Sequence, residues 1–262
     1  MSYRFTDAIV RRPARSIVNG LRALDRGRPD VELFLAEHIS YVGALERAGL
    51  RVAVLPETQA LPDSVFVEDT AICLPDVKII LRPGAPTRLA EADSMAEVMT
   101  GLGYEFHRIA DSGYVDGGDI LTCDDEIFVG LSARTDQAGF DALKNLLSNW
   151  GYSVKAVRTP ENVLHFKSDC SLLDSETILA TSRLCTAECF ASFRVLTLPE
   201  GEEGAANSVR VNDTLLVPDG FPATAEMLDR QGYSLKLLPV SQAALLDGGL
   251  SCMSLRFSST QV

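Results

Sequence analysis

Long hydrophobic runs are absent from this sequence. No run approaches the roughly 20 apolar residues that a transmembrane helix needs, and residues 1–10 lack the apolar segment of a signal peptide. A content of 46% hydrophobic and 23% charged residues is ordinary for a globular protein and argues against disorder. We therefore expect a cytoplasmic protein that has no membrane partner.

Clustered positive charge is also lacking. The formal net charge is −12 at pH 7, and the lysines and arginines are spread along the chain. Because phosphate contacts need a basic face, this distribution argues against nucleic acid as a partner. An acidic surface favours a cationic ligand instead.

The six cysteines are scattered and follow no export signal, a pattern typical of reduced thiols. Cys185 and Cys189 are spaced to share a helix face, but no histidine nearby completes a set of metal ligands. We interpret this pair as packing residues, and no metal site is predicted.

A repeat organises the chain. Four glycines each follow a helix-like pattern and precede a strand-like one, namely Gly49, Gly103, Gly151 and Gly232. We expect each of them to take the left-handed conformation that ends a helix. A fifth strand-like copy at residues 192–196 lacks the glycine. The predicted helices are 31–48, 90–102, 135–150, a short one at 185–191, and 223–231.

Between these units lie pairs of apolar runs joined by polar turns, which predict β-hairpins. The pairs are 65–72 with 78–81, 120–123 with 127–131, 165–173 with 177–180, and 208–211 with 214–217. A hairpin, helix and strand thus recur about every 45 to 50 residues, as in radial or solenoid folds. Pairing 7–10 with 252–257 would close a ring. We predict a single α/β domain spanning 1–262, a five-module pseudo-symmetric α/β propeller with its site at the centre.

Each module offers side chains that can carry chemistry. Asp247, Gly248 and Gly249 precede a strand-like run that carries Cys252, which we interpret as a nucleophile. The two glycines are expected to take positive φ, so that the backbone passes close to a ligand. The other candidates are polar residues near hairpin starts and ends: Asp63, Glu68, Asp69, Arg82, Asp116, Arg134 and His165.

Taken singly, each candidate is more typical of a turn, a surface or a core position than of a functional site. Together they supply a thiol nucleophile, a general acid/base, carboxylates for a cation and arginines for an anion. This set suits a zwitterion with a planar cationic end, such as an arginine derivative.

Six motifs resemble those of the dimethylarginine dimethylaminohydrolases, which modify guanidino groups and belong to the pentein superfamily of five-module α/β propellers. The resemblance covers essentially the whole chain. The motifs are residues 66–69, 82–86, 116–119, 128–135, 165–168 and 247–252.

The resemblance implies hydrolysis of Nω-methylated arginines, asymmetric dimethylarginine and monomethylarginine, to citrulline and dimethylamine or methylamine. Cys252 would attack the guanidinium carbon and form a covalent thiouronium intermediate. His165 would protonate the leaving amine and then activate water, and Asp116 would orient His165 or the guanidinium. The resemblance implies no cofactor, and it is compatible with a homodimer.

Substrate-binding roles also follow from the resemblance. Three acidic residues would bind the cationic end and the amino group, namely Asp63, Glu68 and Asp69, and Asp247 would also bind the substrate. Arg82 and Arg134 would bind the α-carboxylate. Backbone or apolar contacts would come from Leu21, in a lid at residues 18–30, and from Leu246.

Three alternatives stay open on sequence alone. An arginine deiminase or an amidinotransferase of the same superfamily would differ in its product. A non-catalytic propeller used as a binding module predicts loss of Cys252 or His165, and both are present. A cysteine protease leaves Arg82 and Arg134 unexplained. Gly249 and Met253 leave open the preference among dimethylarginine, monomethylarginine and arginine.

Overall fold

The computed structural model describes residues 2–110, 113–161, 163–185 and 187–259. Within these ranges, fifteen strands form five sheets of three strands each. The strands, sheet by sheet, are β1 Asp7–Arg11, β2 Arg51–Leu55 and β15 Leu255–Phe257; β3 Ala71–Cys73, β4 Lys78–Ile80 and β5 His107–Arg108; β6 Ile120–Cys123, β7 Glu126–Leu131 and β8 Ser153–Arg158; β9 Cys170–Leu172, β10 Thr177–Ala180 and β11 Arg194–Thr197; β12 Val209–Val211, β13 Thr214–Pro218 and β14 Ser234–Leu238.

The five sheets share one topology. The middle strand pairs antiparallel with one neighbour and parallel with the other, as β7 does with β6 and β8. A parallel pair needs a crossover, and helices supply it in four modules. These helices are α1 Val31–Arg47, α2 Leu89–Gly101, α3 Gln137–Leu147 and α4 Pro222–Arg230; a fifth, α5 Ser241–Ala244, follows the last sheet. The described helices include none with the length and apolar character to cross a bilayer.

Helix ends follow the expected chemistry. Gly49, Gly103, Gly151 and Gly232 have φ of +97°, +78°, +78° and +86°, which confirms the left-handed conformation. The helix predicted at 185–191 differs, because the fourth module has only a single-turn 3₁₀ helix at Glu188–Phe190. Residue 186 of that prediction lies outside the described residues.

The sheet of β1, β2 and β15 confirms ring closure. β1 pairs antiparallel with β15, so that Asp7 lies opposite Phe257, and parallel with β2. In the described part of the chain, one apolar cluster lies at each of the five module junctions. At the junction of the first and second modules, for example, Ile9 and Leu255 pack with Ile80 and Met95. The faces of each sheet are therefore covered by the neighbouring modules.

Short 3₁₀ turns replace the start of several predicted strands. The sequence predicts strands over 65–72 and 165–173, but Val67–Thr70 and Phe166–Ser168 are 3₁₀ turns that precede β3 and β9. Cys252 likewise lies in a turn, Ser251–Met253, and not at the start of β15. Equivalent turns occupy Gly117–Asp119 and Glu203–Ala206. Charged and polar side chains occupy these turns. A strand at the same positions would have packed them into an apolar junction, which is costly for unpaired polar groups.

The five turns form a closed ring. Val67–Thr70 contacts Ser251–Met253 on one side and Gly117–Asp119 on the other, and the contacts continue through Phe166–Ser168 to Glu203–Ala206. Asn207, which follows the last of these turns, hydrogen-bonds to Ser251 and completes the circle. Residues far apart in the chain meet along this ring.

Candidate active site

A pocket on the ring of turns gathers most of the predicted residues. Its lining is Leu21, Asp63, Phe66, Asp69, Arg88, Arg134, Leu164, His165, Leu246, Asp247, Gly248 and Cys252. Three predicted residues do not line it: Glu68, Arg82 and Asp116. The pocket therefore combines a thiol, an imidazole, three carboxylates and two guanidinium groups.

Cys252 supplies the thiol from the 3₁₀ turn before β15. Burial, together with the negative charges of Glu68 and Asp69, raises the pKa of this thiol to about 12. The group is therefore protonated at neutral pH. A positive charge entering the pocket would favour the thiolate.

His165 is oriented by a buried carboxylate. Its Nε2 lies 2.9 Å from Asp116 Oδ2, and Asp116 is fully buried. The other carboxylate oxygen, Asp116 Oδ1, accepts a hydrogen bond from Gly84 N at 2.7 Å. Asp116 thus acts on the pocket through His165 and does not line it.

The charges around His165 favour its protonated form. Burial lowers the pKa of His165, but the charge of Asp69, the hydrogen bond with Asp116 and the charge of Asp119 together raise it to about 9. The pKa of Asp69 falls to about 2, because the cationic His165 and Arg88 outweigh its burial. An imidazolium and a carboxylate are therefore both present at neutral pH.

Asp69, Asp116 and His165 each place one potential metal ligand within 4.8 Å of the others. Asp69 already accepts hydrogen bonds from Arg88 Nη1 at 2.5 Å and Gly118 N at 2.8 Å. Asp116 is engaged by Gly84 and His165. Because a protonated imidazole cannot coordinate a metal, the trio fits a proton-transfer site better than a metal centre.

Two arginines line the pocket. Arg88 is buried and donates to Glu91 Oε2 from Nε at 3.0 Å and Nη2 at 2.8 Å, and to Phe66 O at 2.8 Å. Arg134 differs, since its guanidinium forms no ion pair with any described residue. An arginine in a pocket without a carboxylate partner is available to an anionic ligand.

Arg82, which the sequence suggested as the second ligand of the substrate carboxylate, does not line the pocket. Its guanidinium carbon lies 4.3 Å from the centre of the Tyr114 ring, and its Nη1 donates to Gly113 O at 3.1 Å. Arg88, which directly precedes α2, lines the pocket instead. One signal was available: a cation at a helix start opposes the helix dipole and needs another reason to be there.

Glu68 lies behind the nucleophile and not in the pocket. Its Oε1 accepts from Lys167 Nζ at 2.6 Å and Arg256 Nη2 at 3.1 Å, and its Oε2 accepts from Ser251 Oγ at 2.7 Å. These four residues also line a larger cavity of about 270 Å³. Glu68 therefore supports the turn that carries Cys252.

Two pocket carboxylates bind the backbone of the predicted lid. Asp63 Oδ1 accepts from Leu21 N at 2.9 Å, and Asp247 Oδ2 accepts from Ala23 N at 2.6 Å. Burial raises the pKa of Asp63. The lid segment is thus fixed at two points on the pocket wall.

The glycines at 248 and 249 do not take the positive φ that we expected. Asp247 has it instead, at +56°. The glycines are needed for close packing: a Cβ on Gly248 would lie 2.4 Å from the Phe66 ring, and one on Gly249 would lie 2.4 Å from Asn207 Oδ1. Phe66, Arg88, Leu164 and Asn207 are the residues that sequence reasoning missed.

This combination of a closed five-module α/β propeller with a cysteine and a histidine in one pocket defines a pentein-type catalytic fold. A family model described as N,N dimethylarginine dimethylhydrolase, eukaryotic, matches residues 28–170. The chain is 37% identical over 254 residues to N(G),N(G)-dimethylarginine dimethylaminohydrolase from Pseudomonas aeruginosa, covering 97% of this chain and 100% of the relative. The chain belongs to the dimethylarginine dimethylaminohydrolase family.

Further relatives agree with this assignment. The enzyme of the same name from Streptomyces coelicolor is 34% identical over 252 residues, covering 95% of this chain and 96% of the relative. The Pseudomonas aeruginosa structure of a cysteine-to-serine variant with citrulline superimposes with a TM-score of 0.94 at 36% identity, over 97% of this chain and 100% of that one. The N-terminal domain of ArgZ, at 15% identity and a TM-score of 0.84 over 97% and 98% of the two chains, shares the fold.

Proposed function

We propose that this protein hydrolyses Nω-methylated arginines to citrulline and dimethylamine or methylamine. The observation that carries the proposal is the pocket itself, where Cys252 and His165 lie with three carboxylates and with Arg134, which has no ion pair among the described residues. The relatives support it, since one related structure contains citrulline and another is an adduct with S-methyl-L-thiocitrulline.

Substrate binding begins with charge matching. Asp69 and Asp247 would accept hydrogen bonds from the guanidinium, and Asp63 would accept one from the α-amino group. Arg134 and Arg88 would bind the α-carboxylate, with Arg88 taking the role that the sequence suggested for Arg82. Leu21 and Leu246 would cover the aliphatic part of the substrate.

The first chemical step needs the thiolate of Cys252. The thiol pKa of about 12 disfavours the thiolate in the ligand-free pocket, and the bound guanidinium cation lowers this pKa by direct attraction. The thiol proton leaves to solvent. The thiolate sulfur then bonds to the guanidinium carbon, whose charge is held on its nitrogens by Asp69 and Asp247.

His165 performs the proton transfers that follow. With a pKa of about 9 it begins as an imidazolium, and it donates its proton to the nitrogen of the departing amine. The neutral imidazole next accepts a proton from water, which attacks the thiouronium carbon. As the C=O bond of citrulline forms, the C–S bond breaks and the remaining hydroxyl proton passes to the departing thiolate. Citrulline leaves, Cys252 is again a thiol, and His165 is again an imidazolium.

The remaining features of the assignment are proposed with it. The whole chain, 1–262, acts as one catalytic domain in the cytoplasm, with its site at the centre of the propeller. The net charge of −12 supports the exclusion of nucleic acid. A homodimer is compatible with these features, and no cofactor enters the proposed chemistry.

The decisive experiment is a product assay on purified protein with asymmetric dimethylarginine, monomethylarginine and arginine as separate substrates. We expect citrulline with dimethylamine or methylamine, and no turnover by the Cys252→Ser variant. Ammonia from arginine as the main product would instead identify an arginine deiminase, and guanidino transfer to an added amine would identify an amidinotransferase.

A further inference from the structure

Asn207 makes three hydrogen bonds that join two parts of the site. Its Oδ1 accepts from Ser251 N at 2.9 Å. Its Nδ2 donates to Ser251 Oγ at 2.9 Å and to Lys167 O at 2.9 Å. Because Ser251 N only donates and Lys167 O only accepts, these partners fix which end of the amide is oxygen and which is nitrogen.

The two hydrogen-bond partners of Asn207 lie next to the proposed nucleophile and the proposed acid/base residue in the chain. Ser251 is the residue before Cys252, in the same 3₁₀ turn. Lys167 lies in the turn that directly follows His165. The Asn207 side chain therefore ties the turn that contains Cys252 to the turn that follows His165.

Asn207 reaches the site from a module that gives the pocket none of its lining. No described residue of the fifth sheet or of α4 lines the pocket. The Asn207 amide packs against Gly249, the neighbour of the lining residue Gly248, since a Cβ on Gly249 would be 2.4 Å from Asn207 Oδ1. Its position is thus defined by packing as well as by hydrogen bonds.

The bonds form a closed loop behind the pocket. Ser251 Oγ donates to Glu68 Oε2 at 2.7 Å, and Glu68 Oε1 accepts from Lys167 Nζ at 2.6 Å. Lys167 O returns to Asn207 Nδ2. Such a loop resists separation of the Ser251 and Lys167 turns more than any single bond would.

We propose that Asn207 is a positioning residue that sets the separation between the Cys252 sulfur and the His165 imidazole. The inference rests on the proposed roles of these two residues. Nucleophilic attack and proton transfer to the leaving amine must occur in one geometry, and a displacement of about 1 Å can cost on the order of 100-fold in rate. Asn207 would hold that geometry without touching the substrate.

The principal test compares Asn207→Asp with Asn212→Asp. Asn212 is a matched control in the same module: its Oδ1 accepts from Phe5 N at 3.0 Å, and its Nδ2 donates to Ala48 O at 2.8 Å and Phe5 O at 3.1 Å. Both substitutions remove the two amide donors and add one charge. Aspartate also tolerates the positive φ of Asn212.

We expect kcat of Asn207→Asp, per folded molecule, to fall roughly 10- to 100-fold with KM changed less than about threefold. Asn212→Asp should lower Tm and leave kcat within about twofold. Asn207→Leu, which adds no charge, should lose kcat as Asn207→Asp does. Alkylation of Cys252 by iodoacetamide needs no proton transfer from His165, so its rate in Asn207→Leu should stay within about threefold of wild type.

The wild-type assay separates the two proposals. An inactive wild type would refute the proposed function, whereas an active wild type with equally active Asn207→Asp and Asn207→Leu would refute the role of Asn207. Equal losses of kcat in Asn207→Asp and Asn212→Asp would also refute it, because a general loss of structural order in the module would then explain the loss of activity. If Asn207→Leu fails to fold, a double-mutant cycle of Asn207→Asp with Ser251→Ala tests the proposal instead. Non-additive effects on kcat would support it, and strictly additive effects would overturn it.

Discussion

Arg88 Nη1 lies 2.5 Å from Asp69 Oδ2, and both residues line the pocket. The contact joins an arginine proposed to bind the substrate carboxylate to an aspartate proposed to bind the guanidinium. Because the pair is buried, removing one partner leaves the other charge without compensation. Binding and folding are therefore coupled at Arg88, and they are not coupled at Arg134, which has no ion pair among the described residues.

We predict that Arg88→Ala raises KM and also lowers the free energy of unfolding by about 3–5 kcal/mol, as expected for a broken buried pair. Arg134→Ala should raise KM with a change in unfolding free energy within about 0.5 kcal/mol. Steady-state kinetics and urea unfolding measure the two quantities. Arg82→Ala is the matched control and should change KM by less than about twofold. A rise in KM for Arg82→Ala equal to that of Arg134→Ala would show that Arg82, and not Arg88, binds the α-carboxylate with Arg134.

The raised pKa of His165 predicts a specific pH dependence of stability. The folded-state pKa of about 9 exceeds the ordinary value of 6.5, so the protonated form is bound more favourably in the folded protein. This stabilisation is fully present below pH 6.5 and is lost as the pH rises through 9. The Tm difference between wild type and His165→Gln should therefore shrink between these two values. A difference that stays constant across the window would contradict the charged state assigned to His165.

Most of the fold was predictable because its signals are local. Each of the four capping glycines ends a helix and starts a strand within a few residues, and the hairpin turns at Asp124 and Asn212 have positive φ, as polar turn residues often do. The 3₁₀ turns were not predictable in the same way. Each turn has only three or four residues and ends within three residues of a strand, and only tertiary contacts show that residues 67–70 belong to a ring.

The site residues also differ in whether a local sequence signal marks them. Cys252, His165 and Asp69 could be predicted because nucleophile, base and carboxylate are recognisable residue types next to glycine-rich or strand-like segments. Arg88 could not, since its spacing to Glu91 is also that of a surface ion pair on a helix. Asn207 has no local signal, because its partners come from two other modules.

The high thiol pKa predicts slow alkylation of Cys252 at neutral pH. With a pKa of about 12, the rate of inactivation by iodoacetamide should still be increasing at pH 10, whereas free cysteine levels off above its pKa of about 8.5. The Cys252→Ser variant should keep the wild-type Tm within about 2 °C. The amount of iodoacetamide label that it takes up measures the reaction of the other cysteines. A plateau in the inactivation rate below pH 9 would show that the thiol is activated without a ligand.

The lid contacts predict that Gly20 is needed for closure. A Cβ at this position would lie 2.9 Å from Asp63 Oδ1 and 3.2 Å from Leu246 Cδ1, and φ of Gly20 is −58°, so alanine brings no backbone strain. Gly20→Ala should therefore displace the lid from Asp63 and lower kcat/KM roughly tenfold, because water is then excluded less completely from the pocket. Gly101→Ala is the control, since its Cβ would meet nothing within 4 Å and the residue lies in α2; it should leave kcat/KM unchanged and slightly raise stability. Equal kcat/KM for Gly20→Ala and wild type would mean that the Leu21–Asp63 contact plays no part in turnover.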